Sequence, residues 1–381
     1  KAGLSMQTRI LSCAMTMNRL IRPKSENAMP DWIRRTALAD LLGVDFEGLS
    51  ESSLYRNLDK LHPNRATIEA DLVDRERTLF NLDKTILLYD LTSTYFEGQA
   101  LSNPKAKRGH SRDKRSDCKQ VVIGLVVNRD GFPVAHEVMA GNTQDRKTLG
   151  DMLDLLDRRV GLTAGQTVVV DRGMSFDENL DQIRDRHLHY IVASRQPERN
   201  QWLADFEEGE SFQEVIRQPS PLNPRQKKSQ VRVKMLKHGN ETHVLCLSTQ
   251  RVQKDRAIRN KHEQRLLADL EKLKNRIAKG HLVKSDKIAE TIGRLKERYP
   301  RVARYYQMTY DETAKTFSYQ LDQDKHAKAE SLDGSYLLKT DRDDLSADEA
   351  WRIYSLLTRA ENAFRDMKSP LGERPIFHHF E

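Results

Sequence analysis

Three acidic residues occupy positions where a carboxylate can take part in catalysis. Asp90 follows the apolar run "TILLY" and Asp171 follows "TVVV", so both are predicted at the ends of buried strands. Ligands of α/β proteins bind where the chain leaves such strands. Glu361 lies in the predicted helix "YSLLTRAENAFRDMKSPL". An aspartate after a strand can also serve as a turn former or a helix cap, so each aspartate alone leaves both interpretations open.

The predicted helix around Glu361 carries polar side chains on one face. Tyr354, Glu361 and Lys368 are seven residues apart, which is almost two helical turns, and Arg365 follows Glu361 by four residues. Such a face is either a stripe of surface ion pairs or a metal ligand beside groups that hold phosphates.

Three carboxylates in one cleft would need a cation, because neighbouring carboxylates repel and raise one another's pKa. Oxygen ligands of this kind suit Mg²⁺ or Mn²⁺. Two such ions about 4 Å apart can activate a water or a 3′-hydroxyl and stabilise the leaving oxygen of a phosphodiester. If the three residues meet, they therefore predict phosphodiester chemistry on DNA or RNA.

The positive charge of the chain is concentrated in two segments. The net charge is +8, and residues 251–300 hold 15 basic and 7 acidic residues. Residues 105–119 hold seven basic and two acidic residues. Clustered positive charge favours a polyanionic partner such as nucleic acid, although a solvated helix face has the same composition.

Composition disfavours other classes of protein. No apolar run approaches the roughly 18 residues that cross a bilayer, and the start of the chain has no secretory signal. Three widely spaced cysteines exclude a disulfide framework and a four-ligand zinc site, and they fit a reducing compartment. The chain starts without Met and ends soon after "RPIF", so it is predicted to be an internal piece of a longer protein.

The order of predicted elements indicates an α/β protein with four parts. Residues 1–82 form a helical N-terminal region, and residues 83–195 form the first part of a mixed sheet flanked by helices. Residues 196–335 are an α+β insertion of β hairpins and long basic helices, which are interrupted near Gly280. Residues 336–381 return to a strand, followed by a single helix that Ser346 caps and that carries Glu361.

Smaller features surround Asp90. Thr92 and Thr94 follow it and are predicted to support its carboxylate by hydrogen bonds, although both residues also simply favour a strand. The basic residues 105–115 are predicted to lie between the first two strands of the sheet, near the edge that holds Asp90. Asp145 is either a residue near the site or a helix cap, and the cap is the preferred interpretation.

Five segments together resemble bacterial insertion-sequence transposases with an RNase H-like DDE core and an insertion before the final Glu. They are "YDLTSTYFEG", "QVVIGLVVNRDGFPV…GNTQD", "VVVDRGM", "DGSYLLKT" and "ENAFRDMKSPLGERPIFHH". The resemblance implies that Asp90, Asp171 and Glu361 are catalytic and hold Mg²⁺ or Mn²⁺, with two ions expected. It also implies a homodimer that binds transposon-end and target DNA in the bacterial cytoplasm, associated with the nucleoid.

The resemblance includes a Tyr-Arg-Glu-Lys arrangement in the last helix. Tyr354, Glu361 and Lys368 match it, but Leu357 stands at the Arg position, so Arg359 or Arg365 is the expected substitute for phosphate handling. The residues predicted to bind DNA are Tyr354, Arg359, Arg365, Lys368, Lys107, Arg108, Lys114 and Arg115.

The predicted activity is metal-dependent hydrolysis at element ends, followed by attack of the freed 3′-hydroxyls on target DNA. One alternative is a catalytically inactive, transposase-derived DNA-binding protein. Another is a phosphatase or phosphotransferase with Asp90 as nucleophile, since Asp-x-Thr after a strand is similar to the haloacid dehalogenase type. That mechanism generally needs an acid at position 92, where this chain has Thr92.

Overall fold

The N-terminal region is a group of helices that packs beside a large sheet. The computed structural model describes residues 3–83, 85–208, 211–218 and 229–377. The helices are α1 (Met6–Ile21), α2 (Met29–Arg34), α3 (Leu38–Leu42), α4 (Glu51–Leu61) and α5 (Arg65–Phe80). Helices α1 to α4 enclose a small apolar cluster that contains Ile33 and Leu54. Glu69 of helix α5 forms an ion pair with Arg159, which belongs to a helix that covers the sheet. The distance from Arg159 Nη1 to Glu69 Oε2 is 2.6 Å.

Nine strands form one mixed sheet in the order β3-β2-β1-β4-β5-β11-β8-β7-β6. Strands β1, β2 and β3 are antiparallel neighbours, whereas β4 and β5 run parallel to β1. This order is the RNase H-like arrangement, and the predicted α/β fold class is confirmed. The strands are β1 (Ile86–Tyr95), β2 (Gln120–Asn128), β3 (Pro133–Ala140), β4 (Thr167–Val170), β5 (His189–Ala193), β6 (Gln213–Arg217), β7 (Ser229–His238), β8 (Glu241–Ser248) and β11 (Ser335–Thr340).

Helices cover both faces of the central strands. On one face, α6 (Leu149–Val160) and α7 (Asp177–Arg184) pack on odd-numbered residues of β1 such as Tyr89. On the other face, α14 (Ala347–Ser355) and α15 (Thr358–Lys368) pack on even-numbered residues such as Leu88. Side chains of a strand alternate between faces, so Asp90 points to the side of α15.

The insertion continues the core sheet and adds a helical body of its own. Strands β6, β7 and β8 join the core through β11, which pairs with both β5 and β8. The other elements are α8 (Gln196–Gln201), α9 (Leu203–Glu207), α10 (Thr249–Ala278), α11 (Ser285–Arg298), α12 (Pro300–Ala303), β9 (Tyr306–Asp311), β10 (Thr316–Leu321) and α13 (Gln323–Ser331). Gly280 has a φ of +71° between α10 and α11, where the long helical stretch is interrupted. The division of the chain at residues 195 and 335 stays a prediction.

The prediction of a single C-terminal helix is wrong, because the chain forms two helices that are separated by a tight turn at Leu356 and Leu357. The backbone N–H groups of these residues donate to the carbonyls of Ile353 and Tyr354, which lie three residues back rather than four. The turn places Leu357 in the core, where 7% of it is exposed. Tyr354 and Glu361 therefore lie on different helices and do not share one helical face.

The first strand is longer than the run "TILLYDL" suggests. Its parallel pairing with β4 ends at Tyr89 and Val170, but its antiparallel pairing with β2 continues to Tyr95. The β-forming residues after Asp90 explain the extension. Asp90 thus lies within the strand, at the point where its parallel neighbour ends.

Replacing Ser346 by Ala is expected to lower the free energy of unfolding by about 1 kcal/mol, because this side chain caps α14. Ser346 Oγ accepts from the N–H of Glu349 at 3.2 Å, and the Glu349 carboxylate accepts from the N–H of Ser346 at 2.9 Å. Urea denaturation measures the change. Ser116→Ala, at an exposed turn, is the control and should match wild type; equal stability of both variants would contradict the capping role.

None of the helices within the described residues combines the length and the apolar character that a bilayer crossing requires.

Candidate active site

The two predicted catalytic aspartates are neighbours on adjacent strands. Parallel pairing aligns Tyr89 of β1 with Val170 of β4, so the next residues along the two strands are Asp90 and Asp171. Neighbouring strands lie about 4.8 Å apart. Residues two positions earlier, Leu88 and Val169, belong to the cluster that faces α15. Both carboxylates therefore belong to the face of the sheet that α15 covers.

Helix α15 brings the third carboxylate to the same place. Leu357 and the fully buried Ala360 pack on the sheet and fix the helix, and Glu361 follows directly. Asp90, Asp171 and Glu361 line one cavity of about 330 Å³. Its other lining residues are Leu91, Thr92, Arg112, Asp145, Gly173, Met174 and Phe364.

The surroundings of Asp90 raise the pKa of its carboxyl. Burial raises the pKa of Asp90 to about 7, and the negative charges of Asp171 and Glu361 add to this increase. The backbone N–H of Leu91, which donates to Asp90 Oδ1 at 2.7 Å, and the charge of Arg112 act in the opposite direction. Asp90 is thus close enough to Asp171 and to Glu361 for both of their charges to disfavour its ionisation.

The donor chemistry of the cavity fits Mg²⁺ or Mn²⁺, because all three predicted ligands offer hard carboxylate oxygens. In the described ranges of the chain, however, no three Asp, Glu, His or Cys side chains are grouped closely enough to hold one ion together. The three residues therefore suit such an ion by the chemistry of their oxygens and because they line the same cavity.

Replacing Asp90 by Asn is expected to stabilise the metal-free protein at alkaline pH. A carboxyl with an ordinary pKa of 3.8 in the unfolded chain and about 7 in the folded chain contributes stability below pH 4 that is lost as pH rises to 7. Asn avoids this loss, so the variant should exceed wild type by on the order of 3 kcal/mol at pH 8 and by little at pH 4. Urea denaturation in EDTA across this pH range measures the difference.

Asp366, an exposed residue of α15, provides the control for this pH dependence. Asp366→Asn changes a side chain that does not line the cavity, and this variant should not reproduce the gain in stability that Asp90→Asn gives at pH 8. An Asp90→Asn variant whose stability follows wild type at every pH would contradict the raised pKa.

Tyr354 contacts the site from α14. Its hydroxyl donates to Asp171 Oδ1 at 3.4 Å, and burial together with the charge of Asp171 raises the pKa of Tyr354. Tyr354 therefore lies beside Asp171 because of the turn between α14 and α15, and its predicted contact with DNA stays a prediction.

Several of the predicted DNA-binding cations already have partners inside the protein. Lys368 Nζ donates to Asp113 Oδ1 at 3.0 Å, and only 9% of the Lys368 side chain is exposed. Arg115 pairs with Asp117 at 2.9 Å, and Arg359 donates to the backbone carbonyl of Asp130 at 2.7 Å. The remaining predicted cations are exposed on the surface: Lys107, Arg108, Lys114 and Arg365.

The two threonines after Asp90 have different surroundings. Thr92 is 5% exposed and lines the cavity. Thr94 donates to the backbone carbonyl of Glu373 at 3.5 Å. Thr94 thus connects β1 to the C-terminal segment, and its predicted support of Asp90 stays a prediction.

Sequence reasoning missed two arginines near the carboxylates. Arg112 donates to Asp145 Oδ2 at 2.7 Å, so the Asp145 side chain forms an ion pair at the cavity and its interpretation as a helix cap is wrong. Arg217 of β6 donates to Ser355 O and Thr358 Oγ1 at the turn between α14 and α15. Arg112 is one of many cations in a basic segment, and nothing in the sequence connects Arg217 to a helix 140 residues later.

Comparison with known proteins agrees with this architecture. The family model "Transposase DDE domain" matches residues 81–378, which is well over half of the chain. A comparison with curated proteins gives no match.

Two solved structures are similar at low identity. A piggyBac transposase synaptic complex with hairpin DNA shares 10% identity over 61% of this chain and 50% of that chain, with a TM-score of 0.33. A Mos1 transposase paired-end complex with the left transposon end shares 10% identity over 49% of this chain and 60% of that chain, with a TM-score of 0.22. The chain thus spans about half the length of the piggyBac protein. By the match over residues 81–378, the chain belongs to the transposase DDE domain family.

Proposed function

We propose that this protein is a DNA transposase that cuts phosphodiester bonds at the ends of an insertion sequence and joins the freed ends to target DNA. The observation that supports this most is the meeting of Asp90, Asp171 and Glu361 in one cavity. They come from a strand, a strand end and a helix far apart in the chain, and a purely structural role would not require three acidic residues to line the same cavity.

In this proposal the three carboxylates hold two Mg²⁺ or Mn²⁺ ions. When bound, these ions supply charge stabilisation for the attacking and the leaving oxygen of the phosphodiester. Asp90 would have to be ionised to serve as a ligand of these ions. Tyr354 orients Asp171 through its hydroxyl, and the packing of Ala360 fixes the position of Glu361.

The two chemical steps balance without an external energy source. In hydrolysis, a water oxygen bonds to phosphorus, the bond from phosphorus to the 3′ oxygen breaks, and that oxygen takes a proton to become a 3′-hydroxyl. In strand transfer, the oxygen of this hydroxyl loses its proton and bonds to a phosphorus of target DNA, and the displaced 3′ oxygen of the target takes up a proton to become a new 3′-hydroxyl. In each step one P–O bond forms and one P–O bond breaks, and both steps are proposed to occur in the same cavity.

The exposed cations Lys107, Arg108, Lys114 and Arg365 are proposed to contact the DNA backbone. Lys107, Arg108 and Lys114 belong to the segment between β1 and β2, which also supplies Arg112 to the cavity. A homodimer would pair two element ends, and the protein would act in the bacterial cytoplasm at the nucleoid.

Cleavage of a matching element end tests the proposal. The full chain is incubated with a labelled duplex that carries the terminal inverted repeat from the flanking genomic DNA, in MgCl₂, in MnCl₂ or in EDTA. Nicking at the repeat boundary in either metal and none in EDTA is the expected result. DNA binding without cleavage in any metal would instead identify an inactive, transposase-derived DNA-binding protein.

A further inference from the structure

Arg112 brings a positive charge into the cavity of the carboxylates. Of the described residues that line this cavity, Arg112 is the one with a basic side chain. Arg359 and Arg365, the two arginines predicted to handle phosphate, are not among them. Arg112 belongs to the segment between β1 and β2, and the acidic residues around it come from other elements: Asp90, Asp145, Asp171 and Glu361. A phosphodiester that reaches these carboxylates would therefore meet this guanidinium.

Two hydrogen bonds fix the backbone that carries Arg112. The backbone N–H of Arg112 donates to Ser93 Oγ at 3.0 Å, and Ser93 is a buried residue of β1. The next residue, Asp113, accepts from Lys368 Nζ of α15 at 3.0 Å. The segment around Arg112 is therefore attached to the strand and to the helix that carry two of the three predicted catalytic carboxylates.

Asp145 holds the side chain of Arg112 at the cavity. Nη2 of Arg112 donates to Asp145 Oδ2 at 2.7 Å. Asp145 is itself connected to β1, because Thr148 Oγ1 donates to the carbonyl of Asp145 at 2.8 Å and accepts from the hydroxyl of Tyr89 at 2.8 Å. Tyr89 immediately precedes Asp90 on this strand. Both partners of the ion pair are thus positioned by the strand that carries Asp90.

The Arg112 guanidinium keeps donors that its ion pair does not use. Within the described residues, its side chain donates to Asp145 through Nη2, and Nε and Nη1 have no hydrogen-bond partner. A guanidinium presents five N–H donors in a planar fork, which suits the oxygens of a phosphate. The charge of Arg112 also reaches the carboxylates, since it opposes the rise in the pKa of Asp90. Arg112 can therefore donate to a phosphate oxygen while it remains paired with Asp145.

We propose that Arg112 is a catalytic residue that donates to a non-bridging oxygen of the reacting phosphodiester, and that Asp145 is the residue that positions it. The identity of the substrate rests on the proposed function. Charge shifts onto the phosphate oxygens as the new P–O bond forms, and a fixed cation stabilises that transition state more than it stabilises the bound substrate. Arg112 supplies hydrogen bonds and charge only, because its guanidinium stays protonated and takes part in no proton transfer.

Single-turnover cleavage of the labelled element end by variants of the full chain tests this role. We expect Arg112→Gln to cleave about a hundredfold more slowly than wild type, because removal of one preorganised donor costs about 10²–10³ in rate. The DNA affinity of this variant in EDTA should stay within about threefold of wild type, since one phosphate contact among many contributes little to binding. Arg112→Lys keeps the charge but loses the planar fork, so its rate should be intermediate.

Two further measurements separate a catalytic cation from a structural one. Methylguanidinium added to Arg112→Ala should restore part of the cleavage rate, whereas urea at the same concentration is neutral and should not. Asp145→Asn should slow cleavage about tenfold, and Arg112→Gln/Asp145→Asn should be no slower than Arg112→Gln alone. This non-additivity is expected because Asp145 acts through Arg112.

Arg146→Gln is the matched control, because Arg146 follows Asp145 directly, is exposed and does not line the cavity. This variant should cleave at the wild-type rate. The melting temperature of every variant should stay close to that of wild type, since the ion pair of Arg112 with Asp145 is partly exposed. Should Arg112→Gln fail to fold, Arg112→Lys gives the decision: a rate below wild type at unchanged DNA affinity supports the role, and a wild-type rate contradicts it.

Three results would overturn the proposal. The first is a rate for Arg112→Gln equal to or above that of wild type, and a higher rate would show that the ion pair closes the cavity instead. The second is an equal loss of rate and of DNA affinity, because Arg112 would then act in binding. The third is absence of cleavage by wild type in both MgCl₂ and MnCl₂, which would overturn the proposed function and this role with it.

Discussion

Alanine at Asp90, Asp171 or Glu361 is expected to reduce strand cleavage at least about a thousandfold, with DNA affinity within about twofold of wild type. Metal-based stabilisation of the transition state contributes several kcal/mol, and about 4 kcal/mol corresponds to a thousandfold in rate. The three carboxylates line one cavity, so removal of any one should disable the same step. Single-turnover cleavage with enzyme in excess measures the rate, and anisotropy in EDTA measures binding.

The control for Glu361→Ala is Asp366→Ala on the same helix. Asp366 is exposed and lies outside the cavity lining, so its removal should leave the rate of cleavage unchanged. A triad variant that cuts as fast as wild type would exclude that residue from catalysis. A variant that loses cleavage and DNA affinity to the same extent would show a role in binding instead.

Local sequence placed Asp171 at a strand end correctly, but it did not predict that β1 continues beyond Asp90 to Tyr95. Near-continuous apolar runs predict buried parallel strands, and both Asp90 and Asp171 occur where such a run stops. The register that makes them neighbours depends on long-range pairing of β1 with β4. Alternation along the strands fixes the face they share, but the partner helix on that face is chosen by tertiary packing.

The last helix shows where periodicity fails. Heptad spacing from Tyr354 through Glu361 to Lys368 is the pattern of one continuous helix. The turn at Leu357 interrupts it, and Arg217 bonds to backbone and side-chain oxygens at that turn. A side chain from a distant strand that stabilises a helix break leaves no periodic signal in the helix itself.

Charge composition identified the basic segments, but it did not show which of their cations form ion pairs within the protein. Residues 105–119 are strongly basic, yet Arg112 and Arg115 form ion pairs with Asp145 and Asp117. Conversely, the cavity lined by Arg172, Arg199, Arg251 and Lys254 combines cations from three separate places in the sequence, which no local count detects. Sequence predicts the sign of the surface charge, whereas the fold decides which charges remain for a ligand.

Asp113 connects the basic segment between β1 and β2 to helix α15. Its Oδ1 accepts from Lys368 Nζ at 3.0 Å and from Arg374 Nη1 at 2.7 Å. The exposed fractions of the Asp113 and Lys368 side chains are 6% and 9%. Because Lys368 follows Glu361 on α15, this buried cluster helps to set the position of the helix that carries the third carboxylate.

Replacing Asp113 by Ala is expected to lower the free energy of unfolding by about 3 kcal/mol, because it leaves the Lys368 ammonium buried without its counter-ion. Urea denaturation at neutral pH measures the loss. Asp117→Ala is the matched control, since its ion pair with Arg115 is exposed at the same segment and should contribute nothing measurable.

The double variant Asp113→Ala/Lys368→Met separates the buried charge from simple loss of packing. Replacement of both partners by apolar groups removes the desolvated ammonium, so most of the stability should return. The coupling between the two positions in a double-mutant cycle should therefore be large, on the order of 2 kcal/mol. If the double variant is as unstable as Asp113→Ala, or if Asp113→Ala is as stable as wild type, the buried ion pair does not hold α15 in place.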